Sequence, residues 1–232
     1  MEIKNNMRIV FLCSGGGGNL RFVKQATEKG WFGTASLVGV LTDRECGANE
    51  YARLHSIDEK CIDFTDSTQV ELVNCLEHYQ PDIVITTVHR ILNPEVVKKF
   101  RGKLINLHYS LLPAFGGFIG TRPVKEAIAY GAQFTGVTVH FVDESLDGGK
   151  PVVQVAVPLR STDNVDNLMD LIFRCGCLSL ASAINSCFRS GDHDPIEEVV
   201  LLKDRYCLFS KKINLLSCIQ NEEFWENIKS LK

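Results

Sequence analysis

Several classes of protein are excluded by what the sequence lacks. No apolar run reaches the roughly 18 to 20 residues of a bilayer-spanning helix, so no membrane span is expected. Neither sign of charge dominates: 25 Lys and Arg stand against 28 Asp and Glu, a net charge of −3, which argues against nucleic acid or an anionic membrane as partner. Met1 to Asn6 leads straight into an apolar stretch with no signal-peptide pattern. The nine cysteines show no zinc-like pairing. Cys175-Gly176-Cys177 is too tightly spaced for the usual ligand pair and the others are scattered, so no metal site is expected. Scattered thiols without an export signal point to a reducing cytosol, with core packing as their expected use.

What is present is the composition of an ordinary globular chain. In 232 residues, 45% hydrophobic and 23% charged, there is enough material for one large core or for a large and a small domain. Met7 to Cys13 is a near-continuous apolar run, as expected of a strand buried on both faces. Ser14-Gly15-Gly16-Gly17-Gly18-Asn19 follows, with a helix expected over Arg21 to Lys29. Strand, glycine loop and helix start converge bare N–H groups on one spot, an anion cradle. The loop has neither the Walker lysine nor clean dinucleotide spacing, and a tight turn is an equally good reading of it.

Further along, Ala35 to Leu41 reads as a strand ending at Thr42-Asp43-Arg44, with no clear acidic terminus. A short helix over Glu50 to His55 with Asn49 as cap, an amphipathic helix over Thr68 to His78, a buried strand over Pro81 to Thr87 and a helix over Pro94 to Phe100 capped by Asn93 complete the first half. Alternating strands and helices predict a largely parallel, doubly wound Rossmann-like α/β sheet. Ligands bind beyond the carboxyl ends of such strands, which sets the glycine loop, Val88 to Leu92 and Asn106 to His108 on one rim.

Leu104-Ile105-Asn106-Leu107-His108 ends a buried strand, and its period of two puts Asn106 and His108 on one face. A Gly- and Pro-rich loop follows, then a strand over Gly136 to Val142, then Asp143-Glu144-Ser145-Leu146-Asp147-Gly148-Gly149. An amide, an imidazole and a carboxylate at strand ends and loops are the parts of an acid–base site, although each alone also suits a braced turn. His140 either lines that site or is a satisfied core histidine.

The stretches Asn106 to Pro113, Gly136 to Val142 and Leu146 to Gly149, with Gln154, resemble the signature of the folate-dependent formyltransferases, over roughly Met7 to Arg189. The resemblance implies a catalytic triad of Asn106, His108 and Asp147. It implies 10-formyltetrahydrofolate as co-substrate, held by Arg90, Ile91, Leu92, Val142 and Asp143. By the same resemblance the acceptor's phosphate is met by Gly16, Gly17, Gly18 and Asn19, although Gly18 stands where the family's ribonucleotide enzyme has a hydroxyl side chain and Tyr109 where it has proline. In the family's ribonucleotide enzymes a late helix supplies a carboxylate to the ribose; here Phe173-Arg174-Cys175-Gly176-Cys177 stands in its place. That departure, with Arg122, Tyr109, Phe115 and Phe118 as diphosphate and base partners, implies a nucleotide-linked (dTDP- or UDP-) amino sugar as acceptor. Glycinamide ribonucleotide is the alternative, and a non-catalytic folate-binding protein a second. Phe115 and Phe118 also suit simple loop packing. The chain is expected to be a cytoplasmic enzyme, residues 1–190 forming the catalytic domain and residues 191–232 a hairpin-and-helix appendage. With no N-terminal regulatory domain before Met7, a deformylase is not expected. Monomer or homodimer is left open.

Overall fold

The computed structural model describes residues 6–188, 197–213 and 217–230. The expected boundary between residues 190 and 191, the end of the resemblance at Arg189, the stretch before Asn6 and the last residue of the expected C-terminal helix, Leu231, lie outside the described residues. The chain divides into two compact units. One comprises residues 1–106, 142–144 and 226–232; the other comprises 107–141 and 145–225.

The first unit is built on parallel strands. β1 (Met7–Cys13) pairs with β2 (Ala35–Thr42) on one side and with β4 (Ile83–Thr87) on the other. β2 carries β3 (Glu59–Cys61), and β4 carries β5 (Leu104–His108), whose last two residues belong to the second unit. Chain order reverses at β1, the switch point at which parallel α/β sheets place ligands. Val10, Leu12, Val84 and Leu104 are almost wholly buried in a cluster with Leu72 and Leu76 of α3 (Val70–Tyr79) and with Val96 and Val97 of α4 (Pro94–Lys99). Asn93 caps α4 as expected: its side chain accepts the Glu95 N–H at 2.7 Å, with Pro94 in the first turn.

Two boundaries differ from expectation for capping reasons. α1 spans Gly18–Glu28, starting three residues early because Gly17, in a left-handed conformation, opens it. α2 spans Gly47–Leu54, and Asn49 lies inside it. Cys46 is the cap, and the Asn49 side chain turns back to accept the Cys46 N–H at 3.1 Å.

The second unit is antiparallel, a change of mode that strand–helix alternation does not announce. β6 (Phe134–Phe141) pairs with β7 (Pro151–Pro158), β7 with β9 (Arg205–Phe209), and β9 with β8 (Glu198–Leu202). β7 is the strand the sequence reading missed. The expected C-terminal hairpin is β8–β9, and β9 is hydrogen-bonded into the sheet. α5 (Arg122–Tyr130) and α6 (Val165–Phe188) pack on β6, and α6 also on β7. α7 (Glu222–Lys229), whose residues from Glu226 onward belong to the first unit, follows a short 3₁₀ turn. Asn164 and Asn167 exchange backbone and side-chain bonds at 3.0 Å, a reciprocal box that starts α6. By length and composition alone α6 could cross a membrane, although Asp170 and Arg174 keep it from being a continuous apolar run; 78% of its most apolar window is buried inside the fold, which accounts for the composition.

Gly136 is the tightest glycine in the second unit. A Cβ there would lie 1.8 Å from the Val155 carbonyl oxygen, a backbone atom that cannot rotate away. Gly136→Ala is therefore expected to cost about 3 kcal/mol or more, at or above the top of the usual range for overpacking. Urea unfolding measures this, and a loss under about 0.5 kcal/mol would mean that β6 and β7 can part locally.

Candidate active site

In the first unit, the carboxyl ends of β1, β2 and β4 gather the polar groups. β1 runs into Ser14, whose buried hydroxyl accepts the His89 N–H at 2.7 Å. Gly17 has φ +73°, and a Cβ on it would stand 3.2 Å from the Ala48 Cα, so this position is closed to other residues. Gly15 and Gly16 have nothing within 4 Å of a built Cβ, and neither has a positive φ. Gly18 and Asn19 begin α1, where N–H groups have no partner within the helix.

Asp43 does stand at the end of β2, immediately after Thr42, with a side chain only 1% exposed. Burial works to raise its pKa, but hydrogen bonds from Arg44, Ser14 and Arg90 outweigh it and hold it down to about 2. Arg90 donates from Nε to Asp43 Oδ2 at 3.1 Å. Ile91 is 77% exposed, while Leu92 is buried in the cluster against which Val142 packs, so these two expected folate segments are neighbours. Gln69, which sequence reasoning passed over, clamps the first of them. Buried, and with φ +47°, it donates to the Phe64 and Ile91 carbonyls and accepts the Asn93 N–H at 2.8 Å. A glutamine read only as part of an amphipathic helix carries no sequence signal for this.

Asn106 and His108 sit on β5, two residues apart as expected; Asn106 belongs to the first unit and His108 to the second. In the second unit His108 Nδ1 is 3.4 Å from Asp147 Oδ2, and Nε2 faces the Phe115 carbonyl oxygen at 3.0 Å. Asp147 Oδ2 also accepts the Gly117 N–H at 2.8 Å, and Oδ1 lies 3.7 Å from His140 Nε2. His140 is thus both a buried histidine and a neighbour of the carboxylate. Its Nδ1 is 2.9 Å from the Phe141 carbonyl oxygen. Asp147 itself has φ +52°, a left-handed backbone that Asp tolerates better than most residues.

Asp147 raises the His108 pKa by its charge, yet the net shift is downward. Burial is the largest influence and disfavours the imidazolium; Asp147 and the Phe115 carbonyl oppose it without prevailing, and His140 adds to the lowering. For Asp147, burial raises the pKa, but His140, the Gly117 N–H and His108 together hold it below the ordinary carboxylate value.

The loop after His108 is fixed by a hydroxyl. Thr138 Oγ1 donates to the Ser110 carbonyl at 2.8 Å and accepts from the Leu112 N–H at 3.1 Å and Gln154 Nε2 at 3.2 Å. Tyr109 lies against α6 at Gly176, where a Cβ would stand 3.0 Å from the Tyr109 ring and 3.2 Å from Leu107. Arg122 lies over the Phe118 ring, 4.2 Å from its centroid, with Glu126 at 3.4 Å. Among the described residues no His, Cys, Asp and Glu cluster could hold a metal.

The family model described as "Formyl transferase" matches residues 7–180. The chloroplastic phosphoribosylglycinamide formyltransferase of Vigna unguiculata is 36% identical over 169 residues, covering 69% of this chain and 54% of that protein. The phosphoribosylglycinamide formyltransferase of Mycobacterium tuberculosis is 35% identical over 171 residues, covering 71% of this chain and 77% of that one. The crystal structure of phosphoribosylglycinamide formyltransferase from Bacillus halodurans superposes with a TM-score of 0.74 at 26% identity, covering 80% of this chain and 97% of that one. The Rossmann-like α/β expectation is upheld with it. The chain belongs to the formyl transferase family, the folate-dependent formyltransferases that its sequence resembles.

Proposed function

We propose that the chain moves the formyl group of 10-formyltetrahydrofolate onto the amino group of phosphoribosylglycinamide. The observation that carries formyl transfer is the buried His108–Asp147 pair, with His108 two residues after Asn106 on β5. The acceptor rests on the relatives of 35 to 36% identity that bear that substrate in their names. The amino-sugar acceptor expected from the sequence loses its main supports. Gly176 has a packing reason, since Tyr109 and Leu107 fill the space a side chain would take. Arg122 and Phe118 are engaged with each other.

In this reading the acceptor amine attacks the formyl carbon and an oxyanion forms. Asn106 donates to that oxyanion. The Nε2–H of His108, which faces the Phe115 carbonyl here, becomes the second donor when that carbonyl gives way. Losing one such donor typically costs on the order of 3 kcal/mol, about a hundredfold in rate. The proton released by the attacking amine passes through His108 to the leaving nitrogen of the folate. Asp147, ionised throughout the neutral range, stabilises the imidazolium formed in passing. Arg90, Ile91, Leu92, Val142 and Asp143 would hold the folate. Gly16, Gly17, Gly18 and Asn19 would hold the acceptor's phosphate, with Tyr109 and Arg122 beside the acceptor. Gly15 and Gly16, glycines that sterics do not require, favour an open cradle over a mere turn.

Three measurements test this. Since Asp147 raises the His108 pKa against burial, Asp147→Asn should lower it further below 6.5, read as the pH midpoint of the His108 ring resonance in NMR; an unmoved midpoint would show that the 3.4 Å pair carries no electrostatic weight. Asp147→Asn and His108→Ala should each lower turnover by several orders of magnitude, and the double variant by little more. Losses that multiply would mean the two act independently. Finally, phosphoribosylglycinamide should exceed thymidine- and uridine-diphosphate amino sugars in kcat/KM by about tenfold or more under one set of conditions, and the reverse order would transfer the assignment to the amino sugars.

A further inference from the structure

We infer that the first unit holds a second small-anion site, built around Arg21 on the flank of α1 and apart from the glycine loop. Arg21 is 6% exposed, yet its Nε and Nη1 have no hydrogen-bond partner among the described residues. Only Nη2 donates, to the Lys229 carbonyl in the last turn of α7, at a long 3.3 Å. A guanidinium has five N–H donors, and a buried cation left so poorly matched is costly unless an anion completes it. Burial already presses its pKa down.

Arg21 lines a cavity of about 290 Å³, at the lower end of the range of ligand pockets and several times the share of a water molecule. Gln25 continues the same face of α1 and Lys29 follows at its C-cap, while Tyr51 of α2 and His55 at that helix's C-cap supply a second wall with rings 4.1 Å apart. Asn227 of α7 closes the third side. The one carboxylate on the wall, Glu28, is already paired with Lys24 at 2.5 Å. Arginine, lysine, imidazole, phenol and amide groups around a cavity are the donor set for a phosphate or carboxylate group. The helix that supplies Asn227 and the Lys229 carbonyl lies beyond the family-matched residues 7–180. The C-terminal segment thereby acquires a role: it completes an anion site that the family region alone does not enclose.

The test uses the full chain with inorganic phosphate and, in a second arm, acetate. To silence the glycine loop, calorimetric titrations are run in a Gly16→Val background, a position where an added Cβ meets nothing within 4 Å. Saturable binding of either anion is expected, about tenfold weaker in Arg21→Met and a few-fold weaker in Lys29→Gln; the tighter of the two anions identifies the ligand group. Because Arg21→Met also removes the bond to α7, the Arg21 Nε–H resonance of the otherwise unaltered chain is followed in parallel and should shift with the same saturation curve. An Arg21 resonance unmoved by either anion up to about 10 mM, or affinities unchanged by both substitutions, overturns the site.

Discussion

Asp147 holds its carboxylate among a backbone N–H and two imidazoles, on a residue whose own backbone is left-handed. Such a conformation at a non-glycine residue costs of order 1–3 kcal/mol and persists only where the surroundings enforce it. The enforcing contacts come from both sides of the carboxylate. Gly117 fixes Oδ2 from the loop after β5, and His140 stands by Oδ1 from β6, while Thr138 on that same strand ties the loop down through Ser110 and Leu112. Removing the charge would leave His108 in a buried setting with nothing to oppose desolvation except the Phe115 carbonyl.

Burial and pairing pull His108 in opposite directions, and burial prevails. An imidazole that resists protonation at rest, but faces acceptors at both ring nitrogens, gains most from a proton when negative charge appears beside it. In the proposed reaction that is the condition of the tetrahedral intermediate rather than of the free enzyme, and differential stabilisation of this kind raises turnover instead of affinity alone.

Much of this was legible in the residues. The apolar run Met7 to Cys13, the Asn93-Pro94 helix start and the two-residue spacing of Asn106 and His108 are local signals, and each stands in the structure as read. What escaped was set by partners distant in sequence. Asp43 reads as a turn residue until Ser14 and Arg90 are seen around it; Gln69 reads as helix surface until it bridges Phe64, Ile91 and Asn93. Gly176 read as a missing carboxylate, whereas its cause is the ring of Tyr109. The antiparallel β7 was hidden because Pro151 to Pro158 follows a glycine-rich loop with no helix between it and β6, so alternation had no beat to mark it.

The apolar character of α6 also has a consequence for synthesis. Emerging alone, a 24-residue helix of this hydropathy would offer the surface that membrane-insertion machinery and aggregation both seek. β6 and β7, on which it packs, precede it in the chain. A ribosome therefore releases the acceptor surface before the helix that needs it, and the interval of vulnerability is only the time to dock.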